Sequence, residues 1–496
     1  MGIEMVLDMA TSVVPDRVAI GRRESGLTYS RLDEIASGGA TVLKERGAAH
    51  LVFVGVNGPI LPVLTFASAK AGIPIAPLNY RLATEQLRDL VAQLERPLIV
   101  ADPAYKDKLE GAAGHLLTTD EFFDAARAAG PSDHLPADDD ATAVVLFTSG
   151  TTSAPKGVLL RHHHLTSYLF NTVEFGSAGE EQATLISTPP YHIAGMGAVL
   201  SNIYAGRRMV YLPDFTPQHW LDLVREEAVT SAMVVPTMLA RVVDHLGGES
   251  AGAPKLASLA YGGARMAQPV LERALVAFPD TGFVNAYGLT ETSSTIAVLG
   301  PDDHREALAD PALRHRLSSV GRIVPGMEAQ IRAEDDTTVL ADGDTGLLWV
   351  RGAQVSGEYM GKGSVLDADG WFPTRDRARI EDEFLFIGGR ADDTIIRGGE
   401  NIAPAEIEDV LVRHDDVREV AVIGVPDDEW GERICAVIVP VDDTHAEPEA
   451  VRAWCRERLR GSRTPDDVVF VDELPKTATG KLVRRDLVTQ VTAESA

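Results

Sequence analysis

Three short runs of uninterrupted apolar residues constrain this chain more than any other feature: LVFVGV (51–56), PIAPL (74–78) and TAVVLFT (142–148). A strand with one wet face alternates apolar and polar residues, whereas a strand covered on both faces reads as a continuous apolar run. Helical patterns separate the runs. Thr28 is placed to cap a helix from about Tyr29 to Arg46, whose Leu32, Ile35, Ala36, Val42 and Leu43 recur at helical spacing and whose end is marked by Gly47. The stretch LPVLTFASAKAG (61–72) reads as a second helix. Strands alternating with helices make βαβ units and a mostly parallel sheet. The expected class is α/β, with ligands held in the loops beyond the strand ends.

The 496 residues allow about three domains, or a large one and a small one. A polar loop (129–140) precedes the third apolar run, and a second change of style falls at EDEFLFIGGRADD (381–393). After it come a helix (404–413), strands (417–425 and 434–440), a helix (448–459) and a strand near 468–471. This spacing predicts a small α+β domain, with a boundary near Asp392 that gives domains 1–391 and 392–496.

Charge narrows the partners. The 46 Lys and Arg against 73 Asp and Glu leave a net −27. Such a chain has no basic footprint to displace counterions from nucleic-acid phosphates, and it suits an anionic membrane surface no better. No apolar run reaches the roughly 18 residues a membrane helix needs. The opening MGIEMVLDMATSVVPD lacks a basic segment and carries Glu4 and Asp8, so it does not read as a secretory signal. Two cysteines, Cys435 and Cys455, are too few for a disulfide framework and read as packing residues, which points to the reducing cytoplasm.

The densest chemical signal is TSGTTSAPKG (148–157), which follows a strand. Gly150 lets backbone N–H groups face a ligand, the hydroxyls of Thr148, Ser149, Thr151 and Thr152 add donors, and Lys156 adds a point charge. A polyphosphate needs this set. The spacing is not that of a Walker A loop, and the residues alone are equally compatible with a solvated Ser/Thr turn. The triple histidine 162–164 looks superficially like a metal site; its position after this loop suits the start of a helix instead, and no metal is assigned to it.

Six further segments follow in order: YHIAG (191–195), YGGA (261–264), NAYGLTET (285–292), GWFPTRD (370–376), GRADDTIIRGGENIAPAEIE (389–408) and PKTATGKLVRR (475–485). Together with the first they resemble the signatures of the adenylate-forming superfamily: acyl-CoA synthetases, luciferases and peptide-synthetase adenylation domains. The resemblance covers nearly the whole chain. It implies a large N-terminal domain of β-sheets with helices, a small mobile C-terminal lid, and ATP, Mg²⁺ and CoA as cofactor and co-substrates.

It also implies roles for particular residues. Thr148, Ser149, Gly150, Thr151, Thr152 and Lys156 would surround the ATP phosphates. Gly263, Ala264, Asn285, Ala286, Tyr287 and Gly288 would form the nucleotide slot, with adenine stacked on Tyr287. Thr290 would meet the α-phosphate, Glu291 would hold Mg²⁺, and Asp376 and Arg390 would hold the ribose. Lys481 would be the catalytic cation, and His192 would gate a substrate pocket shared with Gly195, Tyr261 and Gly262. Asp392 would be the hinge, and Gly398, Gly399 and Glu400 would line the pantetheine tunnel.

One departure stands out. The family reads T-G-D where this chain has Thr374-Arg375-Asp376, and the stretch 360–370 is shorter than usual. If the glycine serves a special backbone angle, Arg375 costs stability or reshapes the loop.

The expected activity is that of an ATP-dependent acyl-CoA synthetase. A fatty or aryl acid becomes an acyl-adenylate with release of pyrophosphate, and the acyl group then passes to CoA with release of AMP. The alternative acceptor is a carrier-protein thiol. Amino-acid activation is disfavoured, because no acid follows His192 before Asp214 to meet an α-ammonium. Arg265 reads as a solvent-facing residue rather than a partner for a second substrate carboxylate. The expected partners are small molecules, with no nucleic acid and no membrane span.

Overall fold

The computed structural model describes residues 1–131, 136–148, 155–397, 400–427, 430–441, 447–477 and 481–494. The three apolar runs become neighbouring parallel strands, His50–Val54, Ile75–Pro77 and Thr142–Thr148. Leu51, Val52, Phe53 and Val54 are wholly buried, as a strand covered on both faces must be. These strands form the middle of a sheet that runs from His115–Thr118 at one edge to Lys156–Arg161, Glu358–Tyr359 and Gly363–Ser364 at the other.

Helices cover that sheet where the pattern puts them. Thr28 caps Tyr29–Glu45 by accepting the Arg31 N–H at 3.2 Å, and Gly47 follows the helix end at φ +61°. The helix Ile60–Ala71 packs against it and closes on Gly72 at φ +74°. Lys70 lies in this helix almost fully buried. Its ammonium sits 2.6 Å from Asp8 and 3.0 Å from Asp33, since a buried charge persists only when paired. The triple histidine opens the helix His162–Thr172.

A second sheet carries four parallel neighbours, Ala183–Ile186, Ser231–Val234, Ser258–Gly262 and Gly282–Leu289, and then reverses at the antiparallel Ser294–Leu299. A third sheet is antiparallel: Met327–Arg332, Gly346–Gly352, Phe372–Glu381 and Phe384–Arg390. The chain after Arg390 builds its own sheet from Glu400–Ile402, Ile395–Arg397, Gly431–Pro440 and Val417–Asp427, with Asp467–Phe470 added in parallel. The helices Pro404–Leu411 and Pro448–Arg458 pack on it. The whole is an α/β protein with a large N-terminal part and a smaller C-terminal one.

Cys435 and Cys455 are fully buried, and burial pushes their thiols up to about 12 and about 11. Both therefore stay protonated and pack as small apolar groups. Among the described residues no helix is long and apolar enough to cross a membrane.

Candidate active site

The site begins with a bulge. The strand Phe372–Glu381 pairs Arg377 with Leu347, then Pro373 with Trp349, so Leu348 alone faces Thr374, Arg375 and Asp376. Extra residues on one strand bend it and re-aim its side chains. Thr374 pins the bulge: its hydroxyl donates to the Leu348 carbonyl at 2.8 Å and accepts the Asp376 N–H at 3.1 Å. Arg375 takes φ +60°, the left-handed conformation that glycine adopts at no cost. The position does need the special angle, and an arginine supplies it.

The bulge turns Asp376 inward, where it is 6% exposed. One carboxylate oxygen accepts the Tyr287 hydroxyl, and the other lies 3.1 Å from the Arg390 guanidinium. Arg390 is itself aimed by donating to the Thr374 carbonyl at 2.7 Å. Burial pushes the Asp376 carboxyl up, and Arg390 and Tyr287 pull it back. The Tyr287 phenol rises well above its usual range, through burial and the facing carboxylate.

Tyr287 lies in Gly282–Leu289, next to a strand crowded enough to demand glycine. A Cβ on Gly288 would fall 1.8 Å from the Ser294 carbonyl oxygen, and one on Gly262 would fall 2.2 Å from that of Ala286. Gly263 (φ +82°) then carries the chain into the turn that holds Ala264. The Asn285 amide donates to the Ser319 carbonyl at 3.3 Å. The ladder runs through Gly288 to Leu289, and the chain reverses at Ser293 and Ser294, both at positive φ.

The short 3₁₀ turn Thr290–Thr292 presents Glu291. The Tyr359 hydroxyl donates to a Glu291 carboxylate oxygen at 2.8 Å, and the Lys156 ammonium lies 5.9 Å from the centre of the Tyr359 ring. Tyr359 thus links Lys156 to Glu291, and no motif pointed to it. Its place follows from pairing with Val158, some two hundred residues earlier in the chain. Thr148 ends its strand with its hydroxyl 3.4 Å from the Lys156 carbonyl. Ser149, Gly150, Thr151 and Thr152, like Gly398 and Gly399, lie outside the described residues.

Among the described residues no group of three or more His, Cys, Asp or Glu side chains could hold a metal by itself. Magnesium bound with a nucleotide needs less, commonly one or two carboxylates plus phosphate oxygens, and Glu291 fits that donor set.

Lys481 brings the far end of the chain to this place. Thr477 and Lys481 close a hairpin, the Thr477 N–H donating to the Lys481 carbonyl at 2.7 Å and the Lys481 N–H to the Thr477 hydroxyl at 3.1 Å. Burial and the Arg390 charge hold the Lys481 ammonium below the usual lysine range, against the opposing pull of Asp376, Asp393 and Glu291. His192 feels the same ammonium: burial, then Lys481, bring its imidazole down to about 4. The Lys481 charge is therefore felt at Asp376 and at His192, two groups far from it in sequence.

His192 precedes the helix Ile193–Ala205, and its carbonyl accepts the Gly195 N–H at 2.9 Å. Gly195 packs tightly rather than opening space, since a Cβ there would lie 2.6 Å from the Pro189 carbonyl oxygen. Tyr261 spends its hydroxyl on His304 Nε2 at 2.9 Å inside the core, so it presents no hydroxyl to a substrate.

Residues 7–360 match the family model described as AMP-binding enzyme, and residues 406–481 match the AMP-binding enzyme C-terminal domain. The chain belongs to the AMP-binding enzyme family. It is 33% identical to a feruloyl-CoA synthase of Amycolatopsis sp over 95% of this chain and 96% of that one. It is 30% identical to an indoleacetate–CoA ligase of Aromatoleum aromaticum, over 98% and 97%. ATP-bound MatB from Rhodopseudomonas palustris superposes with a TM-score of 0.88 at 26% identity, covering 99% of both chains. The reading of the chain as an AMP-forming acid–thiol ligase stands on these relatives.

In this AMP-binding enzyme the two parts also meet away from the cleft. Arg265 is exposed, as read from the sequence, and its guanidinium also pairs with the Asp409 carboxylate on the helix Pro404–Leu411. Arg413 donates to Gln268 at 2.5 Å beside it. Asp392 sits exposed in the 3₁₀ turn Ala391–Asp393, directly after Arg390. Glu400 pairs with Arg463 at 2.6 Å.

Proposed function

We propose that this enzyme joins an apolar aryl acid to CoA in two steps that share one cleft, with the segment 392–496 acting as a lid that pivots at Asp392. In the first step a substrate carboxylate oxygen attacks the α-phosphorus of ATP. The bond to the β-phosphate oxygen breaks, and pyrophosphate leaves with the electron pair. In the second step the CoA thiolate attacks the acyl carbon. The carbon–oxygen bond to the adenylate breaks, AMP leaves, and the thiol proton goes to solvent.

The chain's residues divide the work of the first step. Asp376 accepts from the ribose hydroxyls, with Arg390 beside it, and Tyr287 gives adenine a flat face. Glu291 holds Mg²⁺, which when bound neutralises phosphate charge. Thr290 donates to the α-phosphate. Lys481 stabilises charge that grows as the α-phosphate is attacked, so it acts more on the transition state than on bound ATP. His192, neutral at pH 7, donates a hydrogen bond to the substrate carboxylate and closes the acid pocket. A CoA thiol with a reference pKa of about 8.5 needs only modest help to ionise.

The observation that carries the reading is the buried grouping of Asp376 with Tyr287 and Arg390, where the charge of Lys481 from the opposite end of the chain is also felt. The aryl preference is supported by the names of the feruloyl and indoleacetate relatives and by the small residues Ala194, Gly197 and Ala198 after His192. The enzyme works in the cytoplasm, where its unpaired thiols stay reduced.

A carboxylate panel tests this: hydroxycinnamic, indolylacetic and medium-chain fatty acids, assayed for pyrophosphate and AMP release with and without CoA. Expected are acid-dependent pyrophosphate release, fastest with an aryl acid, and sustained AMP release only when CoA is added. AMP release that ignores CoA but answers to a carrier protein would overturn the assigned acceptor.

A further inference from the structure

Arg375 carries a cost that nothing in the fold repays. A non-glycine residue at φ +60° is strained, and such strain persists where it serves a function. Its neighbours on the same sheet show what a structural arginine looks like here. Arg351 pairs with Glu328, Arg377 with Glu334 and Arg379 with Glu381. Arg375 is exposed, and it has no hydrogen-bond or ion-pair partner among the described residues, in a chain with a 27-charge excess of acids.

Its direction is also constrained. It lies at the apex of the bulge, between Thr374 and the inward-turned Asp376, opposite the single residue Leu348. Its charge is felt, with that of Arg390, at the Tyr359 hydroxyl that donates to Glu291. The guanidinium thus lies within electrostatic reach of the Tyr359–Glu291 pair, the end of the cleft to which the proposed function assigns Mg²⁺ and phosphate.

We propose that Arg375 is a phosphate-binding residue of this site, pairing with the β- and γ-phosphates of ATP while the adjacent Asp376 holds the ribose. The proposal rests on the adenylation reading and adds a contact to it. A planar guanidinium offers two parallel donors to a phosphate, a geometry that neither glycine nor lysine reproduces. One strained bulge then serves both ends of the nucleotide, with ribose recognition and phosphate recognition on consecutive residues. The anionic parts of CoA are the other source of phosphate in this reaction. The neighbourhood of Tyr359 and Glu291 favours ATP.

The test uses the full-length enzyme and its Arg375→Gly and Arg375→Lys variants. Calorimetry with Mg²⁺ measures the affinity for a non-hydrolysable ATP analogue and for AMP, and steady-state assays give the KM for CoA. Loss of a charge-assisted contact predicts a fall of about tenfold or more in the affinity of Arg375→Gly for the ATP analogue. AMP affinity and the KM for CoA should stay within about twofold by the same reasoning. Arg375→Lys should recover part of the loss. Arg375→Gly should also melt higher, by a degree or more, because it relieves the backbone strain. Affinity and stability moving in opposite directions separates a binding role from a structural one. Equal loss for ATP and AMP, no loss for either, or a rise confined to the KM for CoA would overturn the assignment. A wild-type enzyme that binds no ATP analogue would instead sink the adenylation reading itself.

Discussion

Lys481 shows what one residue's surroundings decide. A surface lysine is a hydrated point charge and of little catalytic use. Lys481 keeps an exposed side chain, but desolvation and the Arg390 charge make its ammonium costly, and Asp376, Asp393 and Glu291 lower that cost. Phosphate oxygens arriving between these groups would complete the compensation, most strongly when their charge is redistributed in the transition state. Lys481→Ala should therefore lower acid-dependent ATP–pyrophosphate exchange by about 10²–10³-fold, the usual effect of removing one such stabilising donor. Thioester formation from supplied acyl-adenylate should survive, because the second step does not need this cation. Rates of the two half-reactions, measured separately, check the claim; an equal fall in both contradicts it.

At the scale of elements, much was legible because local signals and tertiary packing agree. The doubly buried strands announced themselves as apolar runs, Thr28 and Gly47 bracketed their helix, and the C-terminal helices and strands fall within a few residues of their spacing. The pair of Asp376 and Arg390 was legible only through resemblance, since Asp376 is one of 73 acids. Tyr359 was not legible at all, because its role comes from a strand pairing and not from its neighbours in sequence. Lys70 misleads in the other direction: a charge in an apolar helix suggests a wet face, whereas two acids from other elements bury it.

The helix His162–Thr172 is another such case, and it makes a prediction. His164 Nδ1 accepts the Arg161 N–H at 3.2 Å, which requires a neutral ring, and burial brings its pKa down to about 3. The unfolded chain, with an ordinary histidine near 6.5, binds more protons between those values. Stability from this site is therefore present above about pH 6.5 and is lost as pH falls toward 3. Each unit of pH in that window costs up to about 1.4 kcal/mol. His164→Gln keeps an acceptor for the same N–H and removes the titration. In urea unfolding, the wild type should lose about 2 kcal/mol more than this variant between pH 7 and pH 5; parallel losses would show that His164 is not buried neutral.

Under the proposed function the whole molecule must do what its separate parts cannot, since the cation assigned to the first step has to give way to the acceptor thiol of the second. The segment proposed as the lid is held by Arg265 with Asp409 and by Arg413 with Gln268. The Arg265 and Asp409 side chains are 39% and 45% exposed, and ion pairs so placed contribute at most about 1 kcal/mol. Such a latch holds the lid without locking it, so rotation falls to the few residues that absorb the backbone change. Asp392 is the proposed pivot because it lies exposed in a turn between the last strand of one sheet and the first of the next. Proline at this position keeps a φ near −65°, which suits a 3₁₀ turn but resists rotation away from it. Asp392→Pro should thus retain most ATP–pyrophosphate exchange and lose tenfold or more of its rate of thioester formation from acyl-adenylate, because the lid stays where Lys481 needs it. Stopped-flow measurement of the two half-reactions decides the matter. An unchanged second step would move the pivot elsewhere, and loss of both would show that the turn supports the adenylation arrangement itself rather than the passage between two.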